Sequence, residues 1–220
     1  MATTVEAKSQ PQPSTAPASR AWYGDKRRLL IGALALLAVA AIVGWFVVAS
    51  GKRKEQFAAR SLNQARAAAE AGNLPLASSE LQRLITTYKG TDAAHEAVIA
   101  LNQIRMVNGQ SELAAVGLRE YLATKPPEKY LPPSYGLLGA ALENAKRWAE
   151  AANAYTQASN AAEVPYLKAT YLVDAGRAYR LAGRRHDAAR AYRTVLEKYG
   201  DSPSFTEAQV RLAELTAGKL

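Results

Sequence analysis

The strongest constraint on this chain is a repeat of 37 residues. Gly72, Gly109 and Gly183 fall at multiples of that interval, and Lys146 stands in the remaining place. Five residues later come Ala77, Ala114, Ala151 and Ala188, and four further on Leu81, Leu118, Tyr155 and Tyr192. Leu84, Tyr121, Ala158 and Val195 complete the register. Alanine is abundant and β-branched residues are sparse after residue 50, so each cycle favours helix. A period in this range implies stacked units, each burying its apolar face against the next. The columns have distinct roles. The glycine ends a helix in a left-handed conformation. The alanine lets two helices of a hairpin approach closely. The large residue one turn on fills the space between hairpins.

The later cycles add further marks. Tyr135, Leu138, Gly139 and Leu142 precede Ala151, Tyr155 and Ala158, and Leu172, Gly176 and Tyr179 precede Ala188 and Tyr192. This order resembles the tetratricopeptide repeat, whose unit is about 34 residues. The three extra residues of the 37-residue cycle here are expected in turns such as Thr124–Leu131 and Ala161–Pro165. Ala65 and Asn102 stand where Gly139 and Gly176 stand later, so the first two cycles are expected to be looser members. The expected fold is all-α: a right-handed superhelix of about four helical hairpins plus a capping helix, preceded by one transmembrane helix. Expected helices cover 53–71, 74–88, 92–108, 111–124, 132–145, 148–160, 165–182, 185–199 and 203–217. Pro203 is expected in the first turn of the last.

Residues 29–49 contain no charge and lie between Lys26-Arg27-Arg28 and Lys52-Arg53-Lys54. A helix of this length is about 31 Å long, close to the hydrocarbon thickness of a bilayer. Twelve of the 21 residues are Leu, Ile, Val or Phe. They favour insertion by roughly 4–7 kcal/mol. A cleaved signal peptide is the competing explanation, but its apolar region spans only about 7–15 residues. Three segments follow: a disordered N-terminal tail at 1–28, a transmembrane helix at 29–49 and a repeat domain at 50–220. Gly51 is the one evident joint between the last two. Basic residues balance on the two sides of the span, so charge alone does not orient it.

The net charge of +9 suits an acidic partner or an anionic membrane surface. Nucleic acid is not expected, because no basic ribbon interleaved with aromatics occurs. With no cysteine, disulfides, thiol catalysis and cysteine-bearing zinc sites are excluded. His95 and His186 are far apart and lack clustered carboxylates, so no metal site is expected. Nothing supplies a nucleophile, base and oxyanion donors together, so the chain is not expected to be an enzyme, and no cofactor is expected.

The expected site is instead a concave groove. By register with the tetratricopeptide family, it is lined by Arg66, Ile99, Gln103, Met106, Glu143, Arg177 and Arg180. Arg177 and Arg180, beside Arg184 and Arg185, suit an acidic segment or peptide carboxylate. A solvated basic face is the plainer alternative. The lysine and asparagine pattern of carboxylate-clamp members is absent.

The layout of short tail, single span ending at Gly44-Trp45 and four hairpins resembles the YfgM-like family of bacterial inner-membrane proteins. That resemblance implies a cytoplasmic N-terminus, a periplasmic repeat domain, and association with translocon subunits and periplasmic chaperones. Tyr88-Lys89-Gly90-Thr91 and Tyr199-Gly200-Asp201-Ser202-Pro203 also resemble repeats of envelope-assembly lipoproteins and division-site proteins. An adaptor of either kind, or a docking subunit for a separate enzyme, therefore stays open.

Overall fold

The computed structural model describes residues 19–216, with side chains from Lys26 onward. Among these residues every regular element is a helix. They are α1 (Ser19–Glu70), α2 (Leu74–Thr87), α3 (Asp92–Val107), α4 (Ser111–Ala123), α5 (Leu131–Asn144), α6 (Trp148–Ala161), α7 (Pro165–Leu181), α8 (Arg185–Lys198) and α9 (Phe205–Thr216). A single 3-10 turn, Glu128–Tyr130, leads into α5. The expected tail lies outside the described residues as far as residue 18. From Ser19 the chain is already helical, and Gly51, expected as a joint, falls inside α1.

The chain divides into two compact units, Met1–Lys52 and Arg53–Leu220. In the first, the apolar stretch from Leu29 to Val48 exposes its large side chains, Leu36 and Trp45 among them. Among the described residues, α1 is the one helix long and apolar enough to cross a membrane. In the second unit, residues 53–70 of α1 pair with α2, and α3/α4, α5/α6 and α7/α8 follow as hairpins, with α9 covering the end.

The turns inside the four hairpins explain the 37-residue glycine column. Gly72, Gly109, Lys146 and Gly183 all have positive φ, at 78°, 74°, 60° and 76°. At each, the next residue donates its N–H to a carbonyl five residues back: Asn73 to Ala68, Gln110 to Arg105, Arg147 to Leu142 and Arg184 to Tyr179. This closes the free carbonyls at the helix end. Lys146 adopts the conformation with a Cβ, which costs about 1 kcal/mol more than glycine there. We therefore expect Lys146→Gly to raise unfolding free energy by roughly 0.5–1 kcal/mol, readable in urea titration.

Packing follows the other columns. Ala77, Ala114, Ala151 and Ala188 are each 0% exposed. In the last two hairpins a tyrosine ring lies flat against a glycine of the partner helix. A Cβ on Gly139 would come within 2.7 Å of the Tyr155 ring, and one on Gly176 within 2.4 Å of the Tyr192 ring. The first two hairpins narrow the size difference, with Ala65 and Asn102 in the glycine positions and Leu81 and Leu118 in the tyrosine positions. All four are buried. Their departure from the family pattern therefore leaves no exposed gap at these positions. Volume is traded between the two positions, so density is kept.

Two details of local structure are tertiary. The Glu55 carboxylate accepts N–H bonds from Asp92 (3.0 Å) and Ala93 (3.1 Å), capping α3 from α1. The last helix starts at Phe205, so Pro203 lies in the preceding turn rather than in the first turn of the helix. There the Ser202 hydroxyl accepts from Ser204 N at 3.2 Å, and the Ser202 carbonyl accepts from Phe205 N at 2.9 Å.

Candidate functional site

Two hollows lie against first helices of the hairpins, where the groove is expected. Between α1 and α3 lies a hollow of ≈490 Å3 whose lining includes Arg66, Ile99 and Gln103 with Ala69, Leu81, Ile104 and Val107. Between α5 and α7 lies another, of ≈480 Å3, lined by Glu143 and Arg177 with Ala140, Asn144, Tyr155 and Leu181. The two are one site shifted by two repeats. A step of 74 residues carries Arg66 to Ala140, Ala69 to Glu143, Leu81 to Tyr155, Gln103 to Arg177 and Val107 to Leu181. Of the expected groove residues, five line one hollow or the other, four of them at equivalent places. Met106 instead packs half-buried against the central core, and Arg180 borders a separate hollow beside Arg185 and Glu214.

The two hollows differ in chemistry. The first is walled by aliphatic side chains. Its one ion pair, Arg66 to Glu96 at 2.7 Å, sits on the rim with both side chains about half exposed. Such a pair contributes little energy. Val107, on the lining, is 76% exposed. The second hollow has a polar floor. Arg177 pairs with Glu143 and donates to Asp174 at 2.7 Å, and the Tyr155 hydroxyl donates to Glu143 at 2.9 Å. Burial pushes the Asp174 carboxyl up, against the pull of Arg177. Burial acts to lower the Arg177 guanidinium, but the hydrogen bond to Asp174 and the charge of Glu143 outweigh it and hold the group above its usual range. Burial, then the neighbouring Glu143 charge, raises the Tyr155 phenol.

The basic cluster read from the sequence is therefore mostly committed within the fold. Arg177 serves Glu143 and Asp174. Arg184 pairs with Asp187 and covers the Tyr179 ring at 4.7 Å. Arg185 donates to the Leu215 carbonyl at 3.0 Å, closing the end of α9. Of the four, only Arg180 has no hydrogen-bond or ion-pair partner among the described residues.

Residues 171–202, spanning most of α7 and all of α8, match the family model of the tetratricopeptide repeat. The fold is of the tetratricopeptide type. Solved structures agree. MamA has 19% identity, a TM-score of 0.56, and coverage of 70% of this chain and 84% of its own. A Podosopora anserina putative kinesin light chain with nearly identical TPR-like repeats has 18% identity, a TM-score of 0.57, and coverage of 72% and 85%. A tetratricopeptide repeat protein from Parabacteroides merdae has 14% identity, a TM-score of 0.59, and coverage of 74% and 61%. No curated protein matches the chain significantly.

Among α2, α3 and α4 of the tetratricopeptide hairpins lies a further cleft of ≈610 Å3. Sequence reasoning passed over it. Its signals were two exceptions in the repeat register: Gly117, where the later cycles have Ala154 and Ala191, and Asn102, where the others have alanine or glycine. His95 closes one end, with Nδ1 2.9 Å from the Tyr121 hydroxyl and its ring stacked 5.0 Å from Tyr130. Burial holds its imidazole below the usual range.

Proposed function

We propose that the chain is a membrane-anchored scaffold that holds a segment of a partner polypeptide in its inner groove. The observation that carries this is the pair of register-equivalent hollows, one aliphatic and open, the other floored by satisfied ion pairs. An apolar side chain entering the first would remove Ile99 and Val107 from water, at about 25 cal/mol per Å2 covered. The second offers hydrogen-bonding groups that need no rearrangement, which suits a polar backbone. No catalytic arrangement enters this function.

The tetratricopeptide fold, used widely for holding polypeptides, supports the binding reading. The exposed apolar surface of α1 supports the anchor at 29–49, with the repeat domain at 50–220 beyond it. The resemblance to YfgM-like proteins supports a finer version. In it the repeats face the periplasm of an inner membrane, and the partners are translocon subunits or periplasmic chaperones.

Site-specific photo-crosslinking from the intact, membrane-resident protein tests both levels. Probes at Ile99 and Leu181 are expected to give discrete polypeptide adducts, and a probe at the exposed Val210 on α9 is not. Translocon or chaperone subunits among the adducts support the finer version, and their absence removes it. Adducts confined to Val210 would remove the groove itself. A C-terminal reporter fusion, active in the periplasm and silent in the cytoplasm, is the matching expectation for orientation.

A further inference from the structure

We propose that the cleft among α2, α3 and α4 is a second binding site, for a partner segment in which acidic side chains alternate with an aliphatic one. It is separate from the inner groove and has its own physical origin.

The cleft is built around one arginine. Asn102, 1% exposed, donates from Nδ2 to the Val98 carbonyl at 2.8 Å and accepts at Oδ1 from Arg105 Nη1 at 3.0 Å. Room for this pair comes from Gly117 on the facing helix. A Cβ there would lie 2.7 Å from Arg105 Nη1 and 2.8 Å from Asn102 Oδ1. A polar core residue, an arginine and a mid-helix glycine thus depart from the repeat together and at one place. Glycine inside a helix costs about 1 kcal/mol relative to alanine, so this departure is not neutral for folding.

Arg105 is held differently from the arginines that form ion pairs between hairpins. Arg66, Arg119, Arg147 and Arg177 each meet a carboxylate. Arg105 is half-buried and held by an amide, with no carboxylate partner among the described residues. Arg105 lines the cleft, and a guanidinium has further N–H donors in a planar fork that suits a carboxylate. Lys89 lies on the same lining and Glu120 opposes them, leaving a net positive charge with His95 neutral. Ile85, Val98 and Leu101 form the apolar wall. Two cations at different points of an aliphatic cleft complement acidic groups on either side of an aliphatic side chain. A phosphate would gain nothing from the wall.

The test is fluorescence anisotropy of the full-length protein in detergent with a capped, labelled peptide of sequence Glu-Leu-Glu, and with its Gln-Leu-Gln counterpart. The acidic peptide is expected to bind and the neutral one to bind at least tenfold more weakly. Arg105→Gln is expected to weaken the acidic peptide at least tenfold and the exposed Lys89→Gln about threefold. Ile99→Asp, in the inner groove, is expected to leave its binding unchanged. Lys89→Gln keeps the test decisive should Arg105→Gln disturb folding, since Lys89 contributes no side-chain contact to the core. Equal binding of the two peptides, or loss in Ile99→Asp without loss in Lys89→Gln, overturns the proposal. That last pattern would place the peptide in the inner groove and leave the scaffold function intact.

Discussion

Gly176→Ala is expected to lower the unfolding free energy of the repeat domain by about 1–3 kcal/mol, the range for overpacking a tight core. The new Cβ would sit 2.4 Å from Tyr192 Cε1 and 2.7 Å from Cζ, well inside contact distance. Tyr192 has nowhere to go, since it is 0% exposed and packs against Ala169, Ala188 and Val195 in the same cluster. The companion change is Tyr192→Leu. Alone it costs stability by opening a cavity. In the Gly176→Ala background it is expected to recover part of the loss, because alanine opposite leucine is the arrangement of Ala65 and Leu81 in the first hairpin. The Tyr192 hydroxyl has no hydrogen-bond partner among the described residues, so its removal costs no bond. Urea unfolding of the four variants forms a cycle whose coupling should exceed about 0.5 kcal/mol in the favourable direction. Additive losses would mean that the ring and the glycine are not a matched pair.

A second large effect concerns the membrane anchor. Leu36→Arg combined with Val39→Arg is expected to release the protein from the membrane fraction. Each arginine near the centre of a span costs about 2.5–3.5 kcal/mol, and each lost aliphatic residue removes a further 0.3–0.6 kcal/mol. Together the two changes oppose insertion by roughly 6–8 kcal/mol, as much as the twelve large apolar residues contribute. Both side chains are exposed on α1, so the change leaves the repeat core untouched. Sedimentation after alkaline extraction reads the result. A double variant that stays in the pellet with the wild type would refute the anchoring role of 29–49. A circular-dichroism spectrum close to that of the wild type is the check that the repeats remain folded.

Groove and cleft were legible in the sequence to different degrees. Register grouped Arg66, Ile99 and Gln103, which line one hollow, and Glu143 and Arg177, which line another. The division into an aliphatic hollow and an ion-paired one could not be placed by register. Glu143 and Arg177 lie on different helices, 34 residues apart, and only the stacking of α7 on α5 brings them together. Arg177, read as a free cation beside Arg180, is for that reason held by internal carboxylates. The outer cleft left a trace in Gly117 and Asn102, but neither residue alone indicated a hollow. Each has an ordinary explanation until the other is seen across from it.

By itself the sequence determined the repeat helices, their order and most of their ends, though not the start of α1 at Ser19 or of α9 at Phe205. Periodicity and backbone preference are local, and a position such as Lys146 adopts the left-handed turn because its place in the register demands it, even with a side chain unsuited to it. The length and lack of charge of 29–49 likewise specified an apolar helix. Tertiary structure decided which side chains meet across helices: the trade of glycine and tyrosine for alanine and leucine, the capping of α3 by Glu55, and the arginines committed to partners. Those outcomes depend on distances between residues 12 to 38 positions apart, which are fixed only once the hairpins stack.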